Sequence, residues 1–273
     1  MSHSSSLSVS LILTTYNWPE ALAAVLDSIK LQRTLPTEVL IADDGSTEST
    51  KHCIQAYQND FPCPLIHVWH EDHGHQASKI RNKTVAQATG EYLIFLDSDC
   101  LLRSDFTAQH LALAKPRHFV AGNRVLLSER FTQKVLQERI DVTSKSPFSF
   151  SREQVNRRWS LLNIPIGPFR YTRPGCWKGV KSCNMSMYKQ DFVDANGFEE
   201  KFEGWGYEDT DLVVRLLRSG HKRISGRFST TVLHLWHSTN KSILEEDNRK
   251  RLQETIGGDR KKALQGIEQH PQA

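Results

Sequence analysis

The chain lacks the features that announce several large protein classes. None of its apolar runs approaches the roughly 20 residues that span a bilayer. Its first ten residues, MSHSSSLSVS, have neither a basic n-region nor an apolar core, so no signal peptide is expected. Cysteine is scarce, with five in 273 residues, and forms no CxxC pair and no zinc-ligand spacing. Reduced thiols in a cytosolic protein are therefore expected. The formal net charge is only +4, too weak to argue for a nucleic acid partner. No GxxxxGK[ST] occurs, and no GxGxxG follows the first apolar run, which counts against a P-loop enzyme and a classical dinucleotide binder. There is no internal repeat and no linker that demands a domain cut.

What is present is ordinary globular material, 38% hydrophobic and 24% charged, with ample length to bury a core. Apolar runs at 8–16, 37–47, 65–70 and 91–102 read as buried strands. Between them, 20–32, 46–60 and 77–90 carry helical spacing or capping residues, the last closed by Gly90. Strand and helix alternate, which predicts a mostly parallel sheet flanked by helices, Rossmann-like and in one α/β domain. Further on, 131–140 and 209–220 read as helices and 229–237 as a strand. Segment 141–181 shows no usable period. It holds eight Lys and Arg against two acids, with Phe148, Phe150, Trp159, Phe169, Tyr171 and Trp177 interleaved. The tail from residue 241 is highly charged, with helical stretches broken at Gly257-Gly258, and its charges read as a solvated helix face.

Ligands of such sheets bind beyond the carboxyl ends of the strands, and there the acids collect. Asp43 and Asp44 end the second strand, and Asp97 and Asp99 end the fourth. Carboxylates two residues apart suit Mg2+ or Mn2+, which can in turn hold a diphosphate. Asp43 and Asp44 can accept hydrogen bonds from a base N–H or a ribose hydroxyl. HLWH at 234–237 adds two imidazoles that suit a further metal ligand. The stretch FEGWGYEDTDL at 202–212 sets Glu203, Glu208, Asp209 and Asp211 beside Trp205 and Tyr207 on a glycine-rich hinge.

In this order, TTYNWPEAL, LIADDGST, SKIRNKTVAQATGEYLIFLDSDC and GWGYEDTDLVVRLLRSG resemble glycosyltransferase family 2 with the GT-A fold, especially bacterial enzymes of lipopolysaccharide core or capsule synthesis. SCNMSMYKQDFVDANGFEEKFEGWGYEDTDLVVRL also resembles the carboxyl half of β-1,4-galactosyltransferases and of chondroitin-polymerase-type enzymes. The resemblance covers residues 8–240, with a nucleotide-sugar half at 8–125 and an acceptor half at 126–240. A disordered start at 1–7 and a helical tail at 241–273 lie outside it.

The resemblance implies that Thr14, Thr15 and Tyr16 line the nucleotide, that Asp43 or Asp44 meets the base and ribose, and that Arg81 with Lys79 faces the uridine or diphosphate. Asp97 and Asp99 would form the DxD, with Asp99 the direct metal ligand ahead of Asp97, and His237 or His234 would complete a site for Mn2+ or Mg2+. Asp209 would be the base, with Glu208 and Trp205 on the acceptor. Asp211, in the first turn of the following helix, is expected to be structural.

The activity so implied is inverting transfer from a nucleotide-sugar, a UDP-hexose or UDP-N-acetylhexosamine, to a hydroxyl of a glycan or lipid-linked glycan. The implied setting is cytoplasmic, with peripheral contact to the inner membrane. Two rivals remain. A nucleotidyltransferase needs a glycine-rich basic loop after the first strand, which TTYNWPE does not supply. A non-catalytic sugar binder has no use for DxD, the Glu-Asp pair and HLWH together.

Overall fold

The computed structural model describes residues 7–171, 173, 175–238 and 245–271. The expected disordered start lies almost wholly outside the described residues, as do 241–244 and 272–273 of the tail.

In chain order the regular elements are β1 (Val9–Thr15), α1 (Pro19–Lys30), β2 (Glu38–Asp43), α2 (Glu48–Gln58), β3 (Leu65–Trp69), α3 (Ala77–Gln87) and β4 (Tyr92–Asp97). There follow β5 (Cys100–Leu101), α4 (Phe106–Leu113), β6 (His118–Ala121), β7 (Asn123–Leu126) and α5 (Glu129–Glu138). The chain closes with β8 (Asn184–Tyr188), α6 (Lys189–Asp194), α7 (Glu208–Arg218), β9 (Lys222–Ser225), β10 (Thr231–His234) and α8 (Glu245–Gly257).

Seven strands form one sheet in the order β3-β2-β1-β4-β8-β6-β9. The first four in that order are parallel, and β8 runs antiparallel to both β4 and β6. Successive residues of a strand face opposite sides, and the core divides accordingly. Leu11, Leu13, Val39, Ile41, Ile94 and Leu96 pack toward α1 and α2, while Ile12, Leu40, Ala42, Leu93 and Phe95 pack toward α3, α6 and α7. Burial on both faces explains why these strands read as continuous apolar runs.

The predicted strand at 91–102 is two strands. The chain leaves the main sheet at Asp97, turns through Ser98 and Asp99, and Cys100–Leu101 joins a second sheet of order β5-β10-β7. Gly90 does not close α3, which ends at Gln87 with Ala88 already extended. Gly90 packs on the start of β1, where an added Cβ would lie 2.5 Å from the Ser10 nitrogen. The 141–181 region is irregular, with 3-10 turns at Pro147–Ser149, Arg158–Leu161 and Gly167–Arg170.

Not all of that region's cations are solvated. Arg170 is buried and donates to the carbonyls of Ser225 and Arg227, each at 2.9 Å, whereas Arg173 is exposed. Arg170→Glu leaves those carbonyls unpaired against a buried carboxylate and is expected to lower stability by about 3 kcal/mol. Arg173→Glu should stay within about 0.5 kcal/mol. Urea denaturation of the two variants checks the contrast, and equal midpoints would refute it.

The tail departs from expectation in part. The charges of α8 lie on an exposed face, as expected, with Glu246, Asp247, Arg249, Lys250, Arg251 and Glu254 all exposed, but Asn248, Leu252, Thr255, Ala263 and Ile267 are buried, so the other face and the residues after it pack on the domain.

Candidate active site

The register of the main sheet lines up the strand ends. Thr15 pairs with Asp43 and Thr14 with Asp97, so three neighbouring strands deliver their polar residues to one edge. Asp43 and Asp44 are buried there, each bound by an imidazole. Asp43 Oδ2 lies 2.8 Å from His67 Nε2, and its Oδ1 accepts from the Ser46 amide at 2.9 Å. Asp44 Oδ1 lies 2.7 Å from His70 Nε2, and its Oδ2 accepts from the Gln76 amide at 2.9 Å. Tyr16 is half exposed, and its hydroxyl donates to Asp72 at 3.0 Å.

Arg81 of α3 is the buried hub of the cleft. It donates to Thr14 Oγ1 at 3.0 Å, to Asp97 Oδ1 at 3.1 Å and to Glu208 Oε1 at 3.4 Å. Burial alone would pull the guanidinium down, but Asp97, Glu208 and Asp209 hold its pKa above the ordinary value. Burial pushes the Asp97 carboxyl up, against the opposing pull of Arg81. Burial and then the Asp209 charge raise Glu208. Lys79, half buried on the same helix, makes none of these contacts.

Asp99 faces a different set of partners. The turn after β4 and the antiparallel pairing of His234 with Cys100 bring HLWH alongside it. Asp99 Oδ2 lies 3.5 Å from His234 Nε2 and 3.2 Å from His237 Nε2. One ligand atom from each of the three residues falls within 4.8 Å of the others. A carboxylate oxygen and two imidazole nitrogens so gathered fit a first-row divalent cation. Burial would raise Asp99, but the bond from His237 and the two imidazoles leave it lowered. The bond to Asp99 pushes His237 up to about 9. Of the four metal candidates in the sequence, three therefore meet, while Asp97 sits with Arg81.

The residues expected on the acceptor side stand on the hinge before α7 and in the first turn of that helix. Gly204, Gly206 and Tyr207 all have positive φ, 72°, 106° and 78°, a conformation that costs little at glycine and more at tyrosine. The backbone reversal turns Glu208 and Asp209 into the first turn of α7, where the helix dipole favours negative charge. Trp205 is 49% exposed beside them. Asp209 Oδ2 lies 3.4 Å from the Ser182 amide and 3.7 Å from Lys181 Nζ.

Two cations here were not among the site residues expected from the sequence. Lys181 belongs to the segment without a period, and Arg124 lies on the four-residue strand β7. Arg124 donates to Cys183 Sγ at 3.6 Å. Burial lowers it, but Cys183, Cys100, Asp99 and Asp97 together raise it. His67 and His70 were also missed, although LIHVWH repeats the spacing that drew attention to HLWH.

Residues 10–193 match the profile of glycosyl transferase family 2. The chain belongs to that family. Residues 169–237 match a second profile, the N-terminal domain of galactosyltransferase. Among curated relatives of this family-2 chain, chondroitin synthase of Pasteurella multocida (strain Pm70) is 25% identical over 235 residues, covering 78% of this chain and 23% of its own length. Validoxylamine A glucosyltransferase of Streptomyces hygroscopicus subsp. limoneus is 28% identical over 229 residues, covering 78% and 48%. The chain thus spans less than half the length of either.

Among solved structures, GalNAc-T7 with UDP, GalNAc and Mn2+ superposes with a TM-score of 0.64 at 15% identity, over 92% of this chain and 48% of that one. S. aureus TarS 1-349 in complex with UDP superposes at 0.62 and 17% identity, over 93% and 65%. The fold is GT-A, a mostly parallel central sheet flanked by helices.

Proposed function

We propose that this chain is an inverting, metal-dependent glycosyltransferase. It moves a hexose or N-acetylhexosamine from a UDP-sugar to a hydroxyl of a glycan in cell-surface polysaccharide synthesis, of the lipopolysaccharide or capsule kind. The observation that carries the reading is the meeting at Arg81 of Asp97, from the sheet edge, with Glu208, from the hinge helix. Residues assigned to the donor and to the acceptor thereby meet at one buried arginine, and His234 and His237 gather at Asp99, which supports the reading. The UDP and Mn2+ in the GalNAc-T7 structure support the choice of donor and ion.

Asp209 takes the proton of the acceptor hydroxyl as the bond from the anomeric carbon to the diphosphate oxygen breaks, and UDP departs. Arg81 stays in the cleft as a fixed positive charge near the developing negative charge. A divalent ion held by Asp99, His234 and His237 would supply neutralisation of the diphosphate. Asp43 and Asp44, each with one oxygen on an imidazole and one on an amide, would meet the base and ribose. Thr14, Thr15 and Tyr16 would line the nucleotide, and Lys79 would stand beside the diphosphate. Trp205 offers a ring face to the acceptor sugar.

A retaining double displacement needs a second nucleophile on the donor's β-face, and the motifs supply none. An α-linked UDP-sugar is therefore expected to yield a β-linked product. The test is a screen of UDP-sugars followed by proton NMR of the fresh product. An α-anomeric signal would refute inversion, and release of pyrophosphate in place of UDP would favour a nucleotidyltransferase.

The chain's surface bears on its setting. Among the described residues no helix is long and apolar enough to cross a membrane. The exposed rings of Phe148, Trp159, Phe169 and Tyr171 stand in the same segment as exposed Arg152, Arg157, Arg173 and Lys178. This composition supports peripheral contact with the anionic inner face of the cytoplasmic membrane, where a lipid-linked acceptor would be presented.

A further inference from the structure

The hinge that carries Trp205 and leads into Glu208 and Asp209 at the start of α7 has no regular structure of its own, and the positive φ of Tyr207 strains it. Its two ends are nevertheless fixed. Glu199 stands before it and Asp211 one turn into α7, and the two are 2% and 0% exposed. A single residue of the tail grips both. Arg260 donates from Nη1 to Glu199 Oε2 at 2.7 Å and from Nη2 to Asp211 Oδ1 at 2.9 Å.

The surroundings complete the arrangement. Thr255 donates to Asp211 Oδ1 at 2.7 Å, and Arg215 donates to Asp211 Oδ2 at 2.7 Å. The amides of Leu264 and Gln265 donate to Glu199 at 2.7 and 3.2 Å. Two buried carboxylates are thus matched by two guanidiniums, with their oxygens hydrogen-bonded, which is the condition under which buried charge is tolerated. Further along the hinge, Asn248 of α8 donates to the Glu203 carbonyl at 2.8 Å, and His270 Nε2 lies 2.7 Å from Glu200 Oε1. Arg218 of α7 donates in turn to the carbonyls of Thr255 and Ile256.

We propose that residues 245–271 are a clasp for the acceptor hinge, with Arg260 the positioning residue that sets Asp209 against its substrate. The inference rests on Asp209 being the base. Arg260 touches no reacting atom. It acts by pinning both ends of 200–210, so that the strained turn before α7 holds one conformation. The Arg260 side chain bonds Glu199, Asp211 and Thr255 and no residue of β1, β2 or β4, so the two halves of the site should separate on mutation of Arg260.

The test uses Arg260→Gln and Arg260→Lys in the full chain. Amide hydrogen exchange within 199–211 should quicken by about tenfold or more, with β1, β2 and β4 unchanged. Mn2+-dependent UDP binding, read by calorimetry, should stay within about twofold of wild type. Turnover of the UDP-sugar that the wild type consumes should fall by about 100-fold, the scale expected when a reacting group is misplaced by about 1 Å. Millimolar guanidinium should restore part of the turnover of Arg260→Ala.

Unchanged turnover per folded molecule would overturn the clasp, and so would UDP affinity falling in step with turnover. If the Arg260 variants do not fold, Thr255→Val removes one bond to Asp211 without touching charge, and the same pattern is expected at several-fold size. If the wild type binds no UDP and consumes no UDP-sugar, the transferase reading fails, and exchange in 199–211 alone decides the clasp.

Discussion

If Asp209 is the base proposed above, Asp209→Asn is expected to lower kcat by about 10²–10⁴-fold, the range of general-base catalysis, and to leave UDP affinity almost unchanged. A sugar hydroxyl is a poor nucleophile, and the amide of asparagine cannot take its proton. The substitution keeps the side chain's shape, so the 3.4 Å approach to the Ser182 amide can persist. Asp209 is 4% exposed, and water is therefore a poor substitute for it. Its neighbour separates on kinetics. Glu208→Gln is expected to act more on the acceptor KM, because its carboxylate binds Arg81 at 3.4 Å while Asp209 remains in place. Steady-state kinetics with calorimetric UDP binding distinguish the two variants. Near-wild-type turnover by Asp209→Asn would remove it from the role of base.

The first half of the fold was legible because its strands are buried on both faces and its helices alternate with them at regular intervals. The strands β6, β7 and β9 were not, since four residues are too few to show a period. The strand β8 mixes Asn184, Ser186 and Met187, with Ser186 holding the Tyr92 hydroxyl at 2.8 Å within the core. Polar groups that are satisfied inside a core look like loop residues in a sequence.

The site divides in the same way. Carboxylates at strand ends announce themselves by position, and a hinge dense in glycine and acid announces itself by composition. That Asp99 meets both imidazoles while Asp97 turns to Arg81 depends on a two-residue strand pairing with β10, a contact between distant segments that no local pattern encodes. The tail hid Arg260 for a related reason. Its charge density suggests solvent, but Arg260 spends its charge on two buried acids. Only the partners, far away in the chain, reveal the difference.

Chelation of divalent ions is expected to abolish turnover, with Mn2+ restoring it in the wild type but not in Asp99→Asn. Among the described residues Asp99 is the carboxylate whose oxygen lies within 4.0 Å of both His234 and His237, at 3.5 and 3.2 Å. Neutralising it removes the only negative charge from that donor set, and two neutral imidazoles alone are weak ligands for a hard cation. Asp97→Asn should behave differently, since its first effect is to release Arg81 from the 3.1 Å ion pair. A readout independent of activity separates the two variants. Binding to the native state alone adds about 2.7 kcal/mol of stability at 100 times Kd. In a chain of this size that corresponds to a Tm rise of roughly 5–10 °C. Wild type and Asp97→Asn should show most of that rise with Mn2+, and Asp99→Asn should show almost none. Full activity in EDTA, or an undiminished Mn2+ shift in Asp99→Asn, would show that the ion is held elsewhere or is not required.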